Sequence, residues 1–303
     1  MNLCGLPPLM AGGIVDVHSY GEPEALSVNP RCEDNYVTYL AAGQAGKPVS
    51  ITEWNVPYPA IDRFTAPLYV ASIAALQGWD APMIYNYSQE SFGKPSRPST
   101  WSTFFDPGLT AIMPAAALVY RQGHVRPARN EYLLKLDREK LYWRPSHPRN
   151  MASLRTLVEQ SKVTIGLPDV KELGWDAETP APEGVKVIAE LDKDFIPAAQ
   201  DYVRSDTGEV TRNWVRGAQA INTPRTQAAH GWIGGEPVRL RHVTLAMDTP
   251  KAAVCVSSLD GQPIETSRRL LITAVARVIA SQGGKTPFLS EPVQGKLTIH
   301  APK

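Results

Sequence analysis

The stretch Pro48-Val-Ser-Ile-Thr-Glu-Trp-Asn55 decides the fold class of this chain. It begins with apolar and β-branched residues and ends in a carboxylate, an indole and an amide. That order is typical of a buried parallel strand whose carboxyl end opens onto a pocket. Two other stretches share it, Gly13-Ile-Val-Asp-Val-His-Ser-Tyr20 and Ala81-Pro-Met-Ile-Tyr-Asn-Tyr-Ser88. The sequence therefore predicts three parallel strands with polar ends at one edge of a sheet.

Helical patterns separate and follow these strands. Tyr36, Tyr39 and Leu40 recur at helical spacing between the first two strands, and Thr65 is placed to cap a helix before the third. Asp106-Pro107 then opens an apolar helix that Gly123 ends. Alternating strands and helices predict parallel βαβ units, but three units cannot close a barrel of about eight strands. Residues 1–125 are therefore predicted to form a partial (β/α) barrel.

The pattern changes after this region. Residues 126–184 are interpreted as a connecting region with one helix, near Asn150 to Gln160, followed by a stretch rich in Pro, Gly and acidic residues. Residues 185–303 contain short alternating runs punctuated by turns, which predict an antiparallel β-sandwich domain. The predicted fold class is thus α/β plus all-β, a partial barrel followed by a sandwich.

Composition excludes several classes of function. The chain has 303 residues and a formal net charge of +1, so it has no strong field to attract nucleic acid or anionic lipid. It has no apolar stretch of about 20 residues that would span a membrane. We therefore expect neither nucleic acid nor a membrane as a partner.

Cysteines and the first residues bear on localisation. Cys4, Cys32 and Cys255 are far apart and in no C-x-x-C pair, so neither a zinc site nor a disulfide framework is expected. Met1 to Gly13 lacks a basic region and is interrupted by two prolines, unlike a signal peptide. A cytoplasmic protein is the default expectation, and loss of a secretion signal with a missing N-terminus stays open. We expect no cofactor and no metal.

The polar ends of the three strands are the candidate functional site. An imidazole, a carboxylate and several aromatic rings at one mouth suit a sugar, because aromatic faces stack on sugar rings and polar groups bind hydroxyls. The predicted catalytic residues are Glu53, His18 and Tyr20, and the predicted substrate-binding residues are Trp54, Asn55, Tyr85, Tyr87 and Ser88.

These ends carry a resemblance to a known family. Ile51-Thr-Glu-Trp-Asn55 resembles the seventh strand of clan A retaining glycoside hydrolases, and Asp16-Val-His-Ser-Tyr20 resembles the sixth, with its H-x-Y pattern. The approach to the third strand, from Gln77 to Tyr87, is similar to that of the eighth. The resemblance covers about residues 10–125. It implies the last three units of a barrel whose N-terminal half is absent, with Glu53 as the nucleophile, Tyr20 as its hydrogen-bond partner and His18 as a subsite residue.

The sequence departs from the family in one respect. Retaining glycosidases need a second carboxyl group about 5–5.5 Å from the nucleophile to protonate the leaving oxygen. In the family that donor lies on the fourth strand, usually in an Asn-Glu pair, and this chain has no fourth strand. Its Asn-Glu pair, Asn130-Glu131, follows the last barrel helix, and Glu22, Asp80 and Glu90 are the nearest other acids.

Three functions stay open at this point. The first is a hydrolase derived from a retaining glycoside hydrolase, acting on a carbohydrate or other small molecule. The second is a promiscuous esterase using Ser19 or Ser88 with His18, because activated esters need little help with the leaving group. The third is an inactive carbohydrate-binding or assembly protein. The open barrel, with Val15, Val49 and Met83 expected on its inner face, also predicts a homo-oligomer, a dimer or trimer.

Overall fold

The computed structural model describes residues 3–22, 24–89, 92, 99–143, 147–171, 181–281 and 284–300. Its N-terminal part contains a three-stranded parallel sheet in the order β1-β2-β3, formed by Val15–Tyr20, Val49–Asn55 and Ala81–Ile84. The helices of this part are α1 (Leu6–Leu9), α2 (Tyr36–Ala41), α3 (Ala66–Gln77) and α4 (Pro107–Arg121). Short 3-10 turns lie at Leu3–Gly5, Ala25–Ser27, Arg63–Thr65 and Pro148–Asn150, and a π-helical turn lies at Glu139–Trp143.

Local sequence explains where the longer helices begin and end. The Asp106 carboxylate accepts from the amide of Leu109 at 3.0 Å and so caps α4. Gly78 and Gly123 follow α3 and α4 with φ of 72° and 58°, a conformation that glycine adopts without steric cost. Thr65 precedes α3 as expected, but its hydroxyl donates to the carbonyl of Asp62 and does not cap the helix. In the described part of the chain, no helix is long and apolar enough to cross a membrane.

Helix α3 is buried on all sides because two different layers cover it. Tyr69, Val70 and Ile73 join the core beneath β1 and β2. Leu68 and Ala71 join a second core, in which α3 and α4 pack against the C-terminal antiparallel sheet. The helices thus hold the parallel sheet and the antiparallel sheet in one packed body.

Residues 126–184 differ from the expected connecting region. The predicted helix is present as α5 (Ala152–Leu157), but two strands lie in this region as well, β4 (Glu131–Lys135) and β5 (Lys162–Gly166). They form a second parallel sheet with β6 (Lys186–Ile188), in the order β5-β4-β6. Apolar residues of β4 and β5 are buried in the same core as β1 and β2, which is why the segment folds as part of the N-terminal body.

The C-terminal part is dominated by antiparallel sheets. Its strands are β7 (Tyr202–Arg204), β8 (Val210–Asn213), β9 (Ala218–Asn222), β10 (Thr226–Trp232), β11 (Val238–Arg239), β12 (Val243–Met247), β13 (Lys251–Ser258), β14 (Leu270–Ala276), β15 (Val278–Ser281), β16 (Lys285–Ser290) and β17 (Gly295–Ile299). The large sheet has the order β14-β13-β10-β9-β8-β7. Beside it lie a three-stranded sheet, β11-β12-β17, and a hairpin, β15-β16.

Both faces of the large sheet are covered. Along β13, Ala253 and Cys255 point to the core shared with α3 and α4, whereas Val254 and Val256 point to a third core shared with β12 and β17. This alternation follows from the two-residue period of a strand. Strand β13 is therefore buried along almost its whole length.

Strand β10 is unusually polar for a central strand, because it contains Gln227 and His230. Both side chains are fully buried and hydrogen-bonded: the Gln227 amide oxygen accepts from the amide of His242 at 2.8 Å, and His230 Nε2 lies 2.8 Å from the Gln219 amide oxygen. The strand pairs with β9 and β13 in the middle of the sheet. Hydrogen-bonded polar side chains therefore replace apolar ones in a central strand, although Nδ1 of His230 has no hydrogen-bond partner among the described residues.

The burial of His230 predicts a pH dependence of stability. Burial lowers the pKa of His230 from 6.5 to about 3, so the folded chain keeps the ring neutral while the unfolded chain protonates it. The stabilisation is complete above pH 6.5 and is lost as the pH falls toward 3. From pH 7 to pH 5 we expect the free energy of unfolding to fall by about 2 kcal/mol from this group.

Urea denaturation at the two pH values measures this effect. The His230→Gln variant keeps a donor for Gln219 but cannot titrate, so its stability should depend less steeply on pH. The exposed His300 offers a matched control, and His300→Gln should keep the wild-type slope. Equal slopes in the wild type and in His230→Gln would show that His230 does not titrate as described.

Candidate functional site

An irregularity in β2 forms the candidate site at the carboxyl ends of β1 and β2. Asp16 pairs with Ser50, but two positions later His18 pairs with Glu53, so β2 contains one extra residue. A bulge of this kind changes the direction of side chains, here letting the adjacent Thr52 and Glu53 both approach His18. Thr52 Oγ1 lies 2.8 Å from His18 Nε2, and Glu53 Oε2 lies 3.4 Å from His18 Nδ1.

The contact expected between Tyr20 and Glu53 is present. The Tyr20 hydroxyl donates to Oε2 of Glu53 across the two strand ends. Burial raises the pKa of Tyr20 above its ordinary value, and the hydrogen bond and negative charge of Glu53 raise it further. The phenol therefore stays protonated and fixes the carboxylate, whose side chain is 30% exposed and open to a ligand.

A second carboxylate, Asp16, holds the other side of the imidazole. Asp16 accepts from Ser50 Oγ at 2.6 Å and from Thr52 Oγ1 at 2.7 Å, and its Oδ2 lies 3.0 Å from His18 Nε2. Burial raises the pKa of Asp16, but the hydrogen bonds from Ser50 and Thr52 outweigh it and hold the pKa below its ordinary value. Asp16 is therefore an ionised group that orients His18.

Aromatic rings pack around Tyr20, whose hydroxyl reaches the Glu53 carboxylate. The ring of Trp101 lies 4.5 Å from that of Tyr20, centroid to centroid, and the ring of Tyr85 lies 6.3 Å away, edge to face. Tyr85 was predicted as a substrate-binding residue and follows β3 with its side chain half-buried. These rings form an aromatic wall beside the carboxylate, a suitable surface for the apolar face of a sugar ring.

Two of the predicted substrate-binding residues do not face the site. Trp54 is 3% exposed and packs in the core beneath the sheet, because strand alternation points it away from Glu53. Asn55 is 1% exposed, and its amide donates to the carbonyls of Tyr85 and Trp101. Asn55 thus fixes the chain that carries the aromatic wall, and both side chains, predicted to bind substrate, are engaged in internal contacts in this structure.

The other two follow β3 farther out. Tyr87 is 58% exposed and packs with Phe92 and Phe104, at centroid distances of 5.9 and 5.3 Å. Ser88 is half-buried in the segment after β3. Strand β3 ends at Ile84, four residues before the expected end, and the chain leaves it through a cis peptide bond between Tyr85 and Asn86.

The acids considered as proton donors lie elsewhere. Glu131 is in β4, where it pairs with Lys162 at 3.0 Å. Asp80 accepts from the amide of Val49 and so lies at the opposite end of β2 from Glu53. Glu22 lines a neighbouring cavity described below, and Glu90 lies outside the described residues.

Comparisons with protein-family models, with curated proteins and with solved structures each found no match. Function is therefore inferred from the chemistry of the site. Within the described ranges, no group of three or more His, Cys, Asp or Glu side chains is placed to hold a metal ion.

The site geometry argues against a serine nucleophile beside His18. Ser19 is 8% exposed and pairs with Trp54, so it lies on the face opposite His18. The His18 ring nitrogens already face Asp16 and Thr52 on one side and Glu53 on the other. A serine hydroxyl would need one of these nitrogens as its base.

Proposed function

We propose that this chain is a hydrolase derived from a retaining glycoside hydrolase, with Glu53 in the position of the nucleophile. The observation that carries the proposal is the carboxylate itself, which accepts a hydrogen bond from Tyr20 and faces His18 at the open ends of two parallel strands. A carboxylate that is fixed in direction and open to solvent is suited to attack the anomeric carbon of a sugar.

The fold proposed with this function is a partial barrel. Parallel β1, β2 and β3 in sequential order, with a helix after each, support an interpretation as the last three units of a (β/α) barrel. In such a barrel the reactive groups lie at the carboxyl ends of the strands, which is where Tyr20 and Glu53 meet.

A retaining glycosidase needs a proton donor, and the described residues of this site include no well-suited one. Asp16 is the carboxylate connected to Glu53 through His18, but its lowered pKa makes it a poor acid. The proposed enzyme therefore acts on glycosides with a leaving group that departs without protonation, and scarcely on unactivated oligosaccharides. The same deficiency favours a second candidate, a protein that binds carbohydrate without cleaving it.

Parallel assays on aryl glycosides and aryl esters separate the proposals. Hydrolysis of glycosides that is lost in Glu53→Gln supports the glycosidase, and hydrolysis of esters that is lost in a Ser88→Ala or Ser19→Ala variant supports the esterase. Saturable sugar binding with no turnover of either substrate class supports the binding protein.

We also propose that the chain forms a homo-oligomer through the open side of the parallel sheet. Among the described strands, β1 and β3 each pair with β2 alone, which leaves two unpaired edges. A groove of about 280 Å³ runs beside β3, lined by Met83, Met113 and Tyr120 among others, and Met83 is 46% exposed. Val15 and Val49, expected on this open face, are instead buried on the helix side. The apolar contact area is therefore the β3 edge, and a second copy of the chain is the occupant proposed for it.

Light scattering coupled to size-exclusion chromatography tests this proposal. We expect a dimer or trimer at micromolar concentration, and Met83→Lys should shift it toward monomer by placing a charge on the covered surface. Val215, exposed in a turn of the C-terminal part, provides the control, and Val215→Lys should leave the mass unchanged. A wild-type chain that is monomeric under these conditions would contradict the proposal.

A further inference from the structure

A second concavity adjoins the candidate site through Tyr20. It has a volume of about 450 Å³, within the range of roughly 300–1,000 Å³ typical of small-molecule sites. Its walls come from the end of β1, the segment leading into α2, and the turn at Arg149. Tyr20 contributes to both sites, since its hydroxyl reaches Glu53 while its side chain lines the cavity. A ligand at Glu53 would therefore extend directly into this space.

The cavity wall carries an excess of negative charge. Three carboxylates line it, Glu22, Glu33 and Asp34, against one guanidinium, that of Arg149. Arg149 lies 3.4 Å from the Tyr39 hydroxyl. The pKa of Arg149 is raised mainly by this hydroxyl and, to a smaller extent, by the negative charges of Asp34 and Glu22. Arg155, which does not line the cavity, also interacts with Asp34, but three anions against these two cations still leave an excess of negative charge that attracts a cation.

Aromatic side chains occupy the rest of the wall. Tyr36 and Tyr39 line it together with Tyr20. Tyrosine rings attract a cation through their negative faces and also offer flat surfaces for a sugar ring. The combination of carboxylates with aromatic faces is suited to an ammonium group on a polyhydroxylated ligand.

Tyr36 forms a rigid part of this aromatic wall. It is 4% exposed, and its ring is held edge to face against Tyr69. Burial raises the pKa of Tyr36 well above its ordinary value, with neighbouring Tyr69 the next contributor, so the phenol stays neutral. The wall therefore keeps an uncharged aromatic face beside its carboxylates.

We propose that this cavity binds a sugar unit bearing a protonated amino group, adjacent to the unit that Glu53 attacks. The inference rests on the proposed function for its glycoside context, while the binding itself depends on groups other than Glu53. The carboxylates select the ammonium group, and the tyrosine faces pack against the ring. Neutral and acidic sugars lack the group that this charge distribution favours.

Calorimetric titration of the full chain with three disaccharides tests the proposal. The probes are the β-1,4-linked dimers of glucosamine, N-acetylglucosamine and glucose, which differ at the amino position. We expect the glucosamine dimer to bind about tenfold more tightly than the glucose dimer at low salt, and this ratio to shrink as salt screens the charges. Equal affinity for the charged and neutral dimers, or no binding of any of them, would overturn the proposal.

Variants separate this cavity from the catalytic site. Glu33→Gln combined with Asp34→Asn should reduce the preference for the glucosamine dimer about three- to tenfold. Glu236→Gln, an exposed carboxylate on the C-terminal part, is the control and should change nothing. A preference that survives the double substitution would contradict the assignment.

Glu53→Gln distinguishes the two proposals from each other. Because Glu53 does not line the cavity, this variant should keep the preference for the glucosamine dimer. A preference for the glucosamine dimer in a wild-type chain that hydrolyses no activated glycoside would uphold the cavity and refute the catalytic role of Glu53. Glycoside hydrolysis without any preference would refute the cavity alone.

Discussion

Replacing Glu159 by glutamine is expected to lower the free energy of unfolding by about 3–5 kcal/mol, because it leaves the Arg212 charge buried without its partner. Arg212 and Glu159 are 0% and 2% exposed, and the guanidinium makes three contacts with the carboxylate oxygens, at 3.0, 2.7 and 2.5 Å. Burial lowers the pKa of Arg212, but the adjacent Glu159 more than compensates, so the group stays charged.

This pair joins distant parts of the chain. Arg212 lies on β8 of the large antiparallel sheet, and Glu159 follows α5. The guanidinium also donates to the carbonyls of Leu26 and Val28, in the segment after β1 that forms part of the cavity wall. Loss of the pair should therefore loosen the cavity as well as the contact between the two parts.

Urea denaturation of single and double variants measures the effect. The double variant Glu159→Leu with Arg212→Leu should be more stable than the sum of the two single changes predicts, because no lone charge remains buried. The exposed pair Arg277 and Glu291 is the control, and Glu291→Gln should cost at most about 1 kcal/mol. A loss below about 1 kcal/mol in Glu159→Gln would show that the pair is not essential to the fold.

Replacing Glu53 by glutamine is expected to reduce hydrolysis of activated aryl glycosides about 10³-fold or more, since the amide cannot form the glycosyl ester. The rate of the wild type should also fall steeply as the leaving group becomes more basic. General acid assistance is worth roughly 10²–10⁴-fold, and this site has no well-suited acid to supply it. Dinitrophenyl glycosides should therefore be cleaved, nitrophenyl glycosides slowly, and alkyl glycosides scarcely at all.

Initial-rate measurements across such a series test this prediction. Ser19→Ala is the matched control, because Ser19 is buried on the far face of β1 and should not affect the rate. A rate independent of the leaving group would mean that an efficient proton donor exists and has been missed. Full activity in Glu53→Gln would remove Glu53 from the chemistry.

The parallel strands of the N-terminal part could be predicted from the sequence because each joins a short apolar run to a polar end. Strand β10 could not, since Gln227 and His230 are buried through hydrogen bonds that depend on residues far along the chain. The second parallel sheet also depends on distant pairing, between β4 and strands that begin at Lys162 and Lys186. Short strands without a strong period carry little local signal.

The candidate site could also be predicted only in part from the sequence. His18, Tyr20 and Glu53 do converge, but Asp16 and Thr52, which hold His18, were not singled out. Asp16 could have been predicted, because residues two positions apart on a strand lie on the same face, and His18 follows Asp16 at that spacing. The bulge in β2 that brings Thr52 to the same side had no signal in the sequence. Trp101 belongs to a Ser- and Pro-rich loop, so its position beside Tyr20 depends on tertiary structure.

Covalent labelling with activated 2-deoxy-2-fluoro glycosides tests the central claim most directly. The fluorine slows both steps, and a dinitrophenolate leaving group restores the first without any acid, so the glycosyl ester accumulates. In this step the bond from C1 to the aryl oxygen breaks, the phenolate leaves with the electron pair, and C1 bonds to a Glu53 oxygen. With a panel of β-gluco, β-galacto, β-manno and β-xylo reagents, we predict that mass spectrometry places the label on Glu53 in the wild type and finds none in Glu53→Gln. An unlabelled wild type across the panel, or a label on another residue, would contradict the assignment of Glu53 as the nucleophile.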